Sequence, residues 1–290
     1  MTGVVTDLAV HSLAGLVDLK VERTQYRGHA RDLAAEADSD LVIVLGGDGS
    51  VNEVVNGLMS RPAPRPRLAV IPGGGGNVLA QGLGLPADAS AAIRQVREVI
   101  ESGRYRTIGL GLAGDRYFTF SAGLGMDAEV VGEVERLRTE GQRESASLFL
   151  RSMMRLYFRG TDRRRPALTL ERDGEPPAEQ LFLCIITNRS PWTYFRGRAL
   201  LPVPDPDFNS GLDVLSLRRI KLSTIFGVVG QMLWVRKRTP RGRDLLSAHG
   251  LESLTLRSAR PIAFQVDGEY LGETEAVKFH FVPDALQVVA

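Results

Sequence analysis

Two glycine-rich segments in the first third of the chain have the composition of a phosphate-binding site. They are Gly46-Gly47-Asp48-Gly49 and Gly73-Gly74-Gly75-Gly76. Glycine has no side chain, so phosphate oxygens can approach its backbone closely, and the N–H groups at the start of a following helix favour an anion. The Ser50 hydroxyl adds a donor, and the Asp48 carboxylate can hold a ribose hydroxyl or Mg²⁺. A plain strand-to-helix turn would explain one glycine, whereas three around an aspartate favour phosphate.

A second candidate for a chemical role is the carboxylate pair Asp267 and Glu269, on either side of Gly268. An Asp-Gly dipeptide is typical of a hairpin turn, and spacing alone favours that interpretation. Side chains two positions apart project from the same side of an extended segment. Two carboxylates placed together repel each other, which can raise the pKa of one of them.

The elements that must position the glycine segments are two short strands, each followed by a helix. The apolar run Leu41–Leu45 precedes the first segment and Leu68–Pro72 precedes the second. Ser50 is predicted to be the N-cap of the first helix, with Glu53 three residues later as its capping-box partner. Strands that alternate with helices indicate a parallel sheet, in which ligands bind at the carboxyl ends of the strands. The two glycine segments are therefore expected to converge on one crevice.

Other elements can be placed more coarsely. Val17–Val21 is predicted to be a strand, and Arg31–Asp38 and Ala89–Ser102 are predicted to be helices. After about Tyr105, short apolar segments separated by Asp-Gly and Gly-Asp turns indicate an antiparallel, β-rich second part. Two segments with helical patterns interrupt it, at Asp127–Phe158 and Leu222–Lys237.

Composition limits the class of protein. With 290 residues and a formal net charge of +2, the chain has the balance of a globular protein and no overall charge that identifies a nucleic-acid binder. The single cysteine, Cys184, lies in an apolar run, so we expect a buried, inert thiol and a reducing compartment. The four histidines have no metal-ligand spacing. Without an apolar run of 18 residues or a leader pattern, we expect a cytoplasmic protein that meets membranes only peripherally.

Two basic stretches with apolar neighbours stand out. Arg151, Arg155 and Arg159 recur at helical spacing and are followed by Arg163–Arg165, while residues 218–243 contain no acid and include Trp234 and Arg236–Arg238. One such stretch would suit a solvated helix face. Two of them favour docking on anionic lipid.

The motifs together resemble the catalytic domain family of diacylglycerol and related lipid kinases, with the bacterial members most similar. The resemblance covers Val21 to the C-terminus and depends on the order and spacing of five blocks. These are GGDGSVNEVVNG (46–57), IPGGGGNVLAQGLGLP (71–86), FSAGLGMDAEVV (120–131), GLDV (211–214) and QVDGEYLG (265–272).

This resemblance implies an α/β nucleotide-binding domain, similar to those of NAD kinases and phosphofructokinases, over residues 1–107. It also implies a β-rich, sandwich-like lipid-substrate domain over 108–274, with the segment from about 275 to 290 packing back on the first domain and the active site in the cleft between the two. The implied reaction moves the γ-phosphoryl of ATP to the hydroxyl of diacylglycerol or a similar lipid alcohol, with Mg²⁺. The implied partner is a lipid alcohol at a membrane surface and not a nucleic acid; a homodimer is compatible with the sequence.

The resemblance also implies site residues. Glu269 would be the general base, and Asp267 would orient it or bind Mg²⁺. Asn209, Ser210 and Asp213 match a block where some relatives hold a structural Mg²⁺, although those relatives carry a carboxylate nearer Ser210, and Asp213 could equally be a turn residue. The matching nucleotide positions are Thr24, Gly46, Gly47, Asp48, Gly49, Ser50, Asn52 and Glu53 in the first block region and Gly74, Gly75, Gly76 and Asn77 in the second.

Two departures from the family pattern leave alternatives open. Many relatives carry Thr or Ser where Gly75 stands, so one hydrogen bond to the nucleotide is expected to be missing. The family usually opens with a strand and an Asn-Pro-x-Ser/Ala-Gly loop, which Met1–Leu19 does not contain; either that strand is truncated or the natural start lies upstream. These departures leave open a catalytically impaired lipid- or nucleotide-binding protein. A second alternative is a soluble enzyme similar to NAD kinase, which shares the GGDG motif, although the β-rich second part and the basic stretches argue against it.

Overall fold

The computed structural model describes residues 2–142, 146–160, 162, 164–188, 192–195, 198–200, 208–234 and 239–289. Contacts divide the chain into two compact units. The first comprises Met1–Gly109 and Pro283–Ala290, and the second comprises Leu110–Val282. Each unit is described separately.

The first unit alternates helices with two short strands. Its elements are α1 (Thr2–Leu13), α2 (His29–Glu36), β1 (Leu41–Gly46), α3 (Asp48–Met59), β2 (Arg67–Pro72), α4 (Val78–Gly82) and α5 (Ala89–Ser102).

The two strands of this unit form the predicted parallel pair. β1 and β2 run in register from Leu41 opposite Arg67 to Gly46 opposite Pro72. The chain's C-terminal strand adds a further parallel contact, with Val288 opposite Leu68. α3 buries its apolar face, consisting of Val51, Val54, Val55 and Leu58. The predicted α/β character of this part is therefore confirmed.

The N-terminal segment differs from the sequence prediction. The predicted strand Val17–Val21 is wrong, because Val17 makes only an isolated bridge with Ala14 and residues 18–25 have no regular structure. Instead α1 forms upstream and buries little more than Ala9 and Leu13. Its apolar residues do not follow one face closely, so the sequence pattern of a helix is weak here.

The second unit is rich in strands. Its elements are β3 (Arg106–Ala113, which begins in the first unit), β4 (Arg116–Phe118), β5 (Ser121–Gly125), α6 (Met126–Thr139), α7 (Ala146–Arg159), β6 (Leu168–Arg172), β7 (Glu175–Leu181), β8 (Leu183–Thr187), β9 (Thr193–Phe195), β10 (Arg198–Leu200), β11 (Leu212–Leu217), α8 (Leu222–Trp234), β12 (Leu245–Leu251), β13 (Ser253–Val266) and β14 (Glu269–Val288).

The strands of the second unit pair in the order β14-β13-β5-β8-β11-β12, and these pairings are antiparallel. Side chains alternate between the two faces of this sheet, as the pleat requires. Leu183 and Ile185 of β8 join a core that includes residues of α7 and α8, whereas Cys184 and Ile186 join a core built from the other strands. The predicted β-rich second part is confirmed.

Two further sequence predictions can be compared with this unit. Burial raises the pKa of the Cys184 thiol to about 12, which agrees with an inert cysteine. The helical segment predicted at Asp127–Phe158 forms two helices, α6 and α7. Within the described residues, none of the helices is both long enough and apolar enough to span a bilayer.

Candidate active site

The two glycine segments of the first unit lie against each other. The Gly73 N–H donates to the Gly46 carbonyl at 2.8 Å. A Cβ atom built on Gly74 would lie only 2.6 Å from the Gly47 Cα, closer than real Cβ contacts allow. The backbones therefore approach at a distance that only glycine permits. The predicted convergence of the two segments is confirmed.

Asp48 ties the second segment to the first. Its Oδ1 accepts the Val78 N–H at 2.6 Å, at the first residue of α4. A Cβ atom on Gly76 would lie 2.6 Å from the other carboxylate oxygen of Asp48. The structure thus gives Asp48 a structural role in holding the loops together. Its predicted contact with a ribose hydroxyl or Mg²⁺ stays a prediction.

Asn77 fixes the shape of the second segment. It adopts a left-handed backbone conformation, and its side chain both accepts the Gly74 N–H at 2.9 Å and donates to the Gly74 carbonyl at 2.7 Å. Gln81 donates to the Gly76 carbonyl at 2.7 Å. These three bonds are all within the protein and hold the loop in one shape, so the loop is preorganised.

Gly49 and Gly75 are the open positions of the two segments. No heavy atom lies within 4 Å of a Cβ atom built on either residue. Gly49 belongs to the first turn of α3, whose initial N–H groups have no partner within the helix. A ligand that approaches the helix start at this point would meet backbone donors.

The predicted capping box of Ser50 and Glu53 is wrong. α3 begins at Asp48 with Gly47 as its N-cap, so Ser50 lies inside the first turn. The Glu53 carboxylate instead accepts the Gly28 N–H at 2.9 Å and the Ala30 N–H at 3.2 Å. Glu53 therefore satisfies donors at the start of α2, which explains its position without a nucleotide.

Asn52 receives less support as a nucleotide ligand, whereas the role of Thr24 stays a prediction. Asn52 is only 1% exposed, and its side-chain oxygen accepts from Asn56 at 3.2 Å, which argues against a contact with a ligand. Thr24 is exposed in the segment that precedes α2. The Gly28 bond to Glu53 anchors that segment to α3, four residues beyond Thr24.

In the second unit, Asp267 and Gly268 form the two-residue hairpin turn between β13 and β14. Both have positive φ angles, 47° and 76°, as a turn of type I′ requires. Asp267 is 3% exposed. Its two oxygens accept the backbone N–H groups of residues 119–121 at 2.7–3.1 Å and the Thr119 hydroxyl at 2.9 Å. These four bonds indicate that Asp267 fixes the turn, a role that differs from the predicted one of orienting Glu269 or binding Mg²⁺.

Glu269, the first residue of β14, is held by a cation that sequence reasoning missed. The Arg116 guanidinium donates to the Glu269 carboxylate. Arg116 begins β4, directly after a tight turn in which Gly114 has a φ angle of 63°. The side chains of both residues are partly exposed, 24% for Arg116 and 17% for Glu269. Glu269 is therefore oriented and still accessible.

Asp127 is a second missed residue. It lies in the first turn of α6, and burial raises its pKa to about 6. Gln265 donates to it at 2.9 Å and accepts the Gly268 N–H at 3.0 Å. Asp127 is thus linked through Gln265 to the turn that precedes Glu269. Asp127 and Gln265 are far apart in the sequence, so no local pattern predicts the hydrogen bond between them.

The predicted metal block of Asn209, Ser210 and Asp213 stays a prediction. Oδ1 of Asp213 lies 3.3 Å from His249 Nδ1 and accepts the Gly250 N–H at 3.2 Å, and burial raises the pKa of Asp213. Asn209 and Ser210 are exposed. Over the described part of the chain, no three His, Cys, Asp or Glu side chains are grouped as metal ligands.

Comparison with known proteins agrees with the motif resemblance. Residues 7–108 match the family model described as "Diacylglycerol kinase catalytic domain". A relative named diacylglycerol kinase from Bacillus subtilis (strain 168) is 28% identical over 257 residues, which are 84% of this chain and 76% of the relative. Another of that name, from Staphylococcus epidermidis, is 44% identical over 85 residues, 29% of this chain and 25% of the relative.

Solved structures support the fold. A diacylglycerol kinase from Bacillus anthracis str. Sterne is similar with a TM-score of 0.71 at 20% identity, covering 99% of this chain and 90% of that one. An NAD kinase from Archaeoglobus fulgidus in complex with ATP gives a TM-score of 0.52 at 11% identity, covering 98% and 89%. The predicted similarity of fold to both classes of kinase is confirmed.

Proposed function

We propose that this chain, whose residues 7–108 match the family model of the diacylglycerol kinase catalytic domain, is an ATP-dependent lipid kinase. It transfers the γ-phosphoryl group of ATP to the hydroxyl of diacylglycerol or a similar lipid alcohol. The family and the names of the relatives support a lipid kinase in general. ATP as donor, diacylglycerol as acceptor and Mg²⁺ as cofactor are the finer parts of the proposal.

The observation that carries the proposal is the preorganised pair of glycine loops in the first unit. The loop backbones at Gly47 and Gly74 lie too close together for a side chain on Gly74, whereas Gly49 and Gly75 are open. Phosphoryl transfer depends mainly on positioning and on stabilising phosphate charge. Backbone donors at the start of α3 supply such stabilisation without a cost of reorganisation.

Glu269 is proposed as the general base. It would accept the proton of the lipid hydroxyl while that oxygen forms a bond to the γ-phosphorus and the bond from phosphorus to ADP breaks. Arg116 positions the carboxylate. A base of this kind typically contributes about 10²–10⁴-fold to the rate.

Mg²⁺ is normally bound by one or two carboxylates together with the phosphates of the nucleotide. Asp48 is the carboxylate that borders both glycine loops, so it is the residue that fits this role. The ion would neutralise phosphate charge during transfer.

The direct test is to incubate the protein with labelled ATP and Mg²⁺ and to offer diacylglycerol, sphingosine, ceramide and NAD separately. We expect labelled product from a lipid alcohol and none from NAD. Labelled NAD phosphate would instead support the NAD kinase alternative. ATP binding without any product would support an impaired binding protein.

The Glu269→Gln variant tests the assigned chemistry. We expect ATP affinity to be retained and turnover to fall by about 10²-fold or more, because the amide cannot accept the proton. Glu171→Gln is the matched control, since Glu171 on β6 also pairs with an arginine of the same unit, Arg257, at 3.0 Å, and its side chain is 38% exposed. Normal turnover by Glu269→Gln would refute the assigned role.

A further inference from the structure

In the described part of the second unit, the large apolar side chains that are exposed lie on two helices. Among its described residues, the large hydrophobic side chains that are exposed are Phe149 (36%), Leu150 (46%), Phe158 (59%) and Phe226 (53%). The first three lie on α7 and the last lies on α8. Isolated exposed apolar residues are common, but clustering on particular elements indicates an interaction surface.

The two helices cover the same face of the sheet. Tyr157 of α7 and Met232 of α8 belong to one buried cluster, which also contains Leu183 of β8 and Leu215 of β11. Since both helices bury their inner sides on this face, the outer sides of both are directed away from the sheet. The exposed residues of α7 and α8 therefore belong to one side of the unit.

The outer side of α7 combines an apolar stripe with a basic stripe. Leu150, Met154 and Phe158 recur at intervals of four residues, as do the adjacent arginines at 151, 155 and 159. Residues four apart lie on the same face of a helix. Arg155 donates to Glu133 of α6 at 3.0 Å and Arg151 donates to Gln142 at 2.7 Å, so these cations are held at the surface.

The outer side of α8 is open around Phe226. Side chains added at Gly227 or Gly230 would meet no heavy atom within 4 Å. Beside this helix lies a cavity of about 200 Å³ whose lining includes Arg241 and Arg243. It is smaller than the roughly 300–1,000 Å³ of a site for a whole small molecule, and its size and charge suit a phosphate head group. Asp244 also lines it and lies 3.7 Å from Arg219.

Charge favours a lipid surface over another protein as the occupant. α7 contains no acidic residue, and neither do residues 218–243. Acidic side chains reach this side of the unit from neighbouring segments, as Glu133 beside Arg155 and Asp244 beside Arg219. A surface that combines exposed aromatic and aliphatic side chains with an excess of basic residues is complementary to an anionic bilayer. Of the basic stretches identified in the sequence, Arg163 and Arg236–Arg238 lie outside the described residues and are not needed for this reasoning.

We propose that the outer sides of α7 and α8 form a docking surface for an anionic phospholipid bilayer. Phe158 and Phe226 enter the interface, and the arginines contact lipid phosphates. The inference extends the proposed function and rests on it in one respect, namely that the substrate is a lipid. It does not depend on catalysis for its test.

The test measures sedimentation of the whole protein with vesicles of phosphatidylcholine alone or with phosphatidylglycerol added, in the absence of ATP. We expect binding that requires phosphatidylglycerol and weakens with salt. The double variant Phe158→Glu with Phe226→Glu should reduce the partition coefficient about tenfold or more. Replacing Arg151 by Gln should reduce it about fivefold. The matched control is Val4→Glu, because Val4 is 76% exposed on α1 of the first unit; it should bind as the unmodified protein does.

Circular dichroism and thermal unfolding must show that each variant folds before its binding is compared. The proposal is overturned if the unmodified protein ignores phosphatidylglycerol, or if the double variant binds as well as Val4→Glu. It is also overturned if light scattering shows a dimer that the double variant disrupts, since a second copy would then be the occupant. Turnover of a short-chain, water-dispersed diacylglycerol is measured separately, so loss of docking and absence of kinase activity remain distinct results.

Discussion

The Asp48 carboxylate lies 2.6 Å from the backbone nitrogen of Val78, thirty residues further along the chain. This one bond connects the first glycine loop to the helix that follows the second. The two loops therefore hold each other in place, and their shape depends on Asp48, a residue that is expected to face the nucleotide. Any change at Asp48 acts on structure and on ligand binding together.

We expect Asp48→Ala to lower the stability of the first unit by about 1–2 kcal/mol, the usual effect of losing a helix cap. It should also lower ATP affinity at least about tenfold, because the loops are no longer held together. Urea unfolding followed by circular dichroism and calorimetric titration with ATP measure the two effects. Amide hydrogen exchange in α4 should become faster.

Asp88→Ala provides the control for that variant. Asp88 caps α5 of the same unit by accepting the Ala91 N–H at 2.8 Å, so its loss should destabilise the helix without altering the loops. Equal losses of ATP affinity in the two variants would contradict a specific role of Asp48 in the nucleotide site.

Gly75 offers the opposite experiment, a gain of binding. No atom lies within 4 Å of a Cβ atom built there, so Gly75→Ser should leave stability nearly unchanged. If relatives use a hydroxyl at this position to contact the nucleotide, the variant should bind ATP about two- to tenfold more tightly, which corresponds to one added hydrogen bond. Calorimetric titration measures the change.

Gly74→Ala is the contrasting substitution one residue away. Its Cβ atom would lie 2.6 Å from the Gly47 Cα, so we expect the loops to separate and ATP affinity to fall. Weaker ATP binding by Gly75→Ser would show that this open position does not face the nucleotide.

The glycine loops could be predicted because their determinants are local. Each loop follows a short apolar strand, and parallel neighbouring strands place their carboxyl ends together. The same local pattern misled at Glu53. A Ser-x-x-Glu sequence fits a capping box, yet the partner of Glu53 is Gly28, 25 residues upstream, and that long-range choice is not encoded in the spacing.

At the turn that contains Asp267, too, the local structure could be predicted but the long-range contacts could not. Its Asp-Gly sequence predicts the positive φ angles and the hairpin. The donors to its carboxylate lie about 150 residues earlier, at Thr119 to Ser121, and only the folded structure brings them together. The pair Arg116 and Glu269 could not be predicted from the sequence for that reason.

Arg116 is expected to act on catalysis through the position of Glu269. Arg116→Gln should reduce kcat by about ten- to hundredfold while KM for ATP changes little, because a small displacement of a reacting group is costly. Arg116→Lys should restore part of the rate, since a cation remains near the carboxylate. Steady-state kinetics with a lipid alcohol separate kcat from KM.

Arg257→Gln is the control for this prediction, because it removes another arginine that pairs with a glutamate in the same unit. It should leave kcat unchanged. A change in KM for ATP alone in Arg116→Gln would contradict the assigned positioning role.

Asp127 should make the stability of the second unit depend on pH. Burial raises its pKa from 3.8 to about 6 in the folded protein, so the folded state holds this proton more tightly than the unfolded state does. The resulting stabilisation is complete below about pH 4 and is lost as pH rises through 6. Asp127→Asn keeps an acceptor for Gln265 and should remove this dependence, which amounts to at most about 3 kcal/mol.

Denaturant unfolding from pH 4 to pH 8, followed by tryptophan fluorescence, measures this effect selectively. The chain has two tryptophans, Trp192 and Trp234, and both belong to the second unit. Other carboxylates contribute equally to the unmodified protein and to Asp127→Asn, so the difference between their unfolding free energies isolates Asp127. That difference should favour Asp127→Asn progressively as pH rises from 4 to 7. A difference that is constant across this range would show that Asp127 titrates normally and that Gln265 and the surrounding burial do not perturb it.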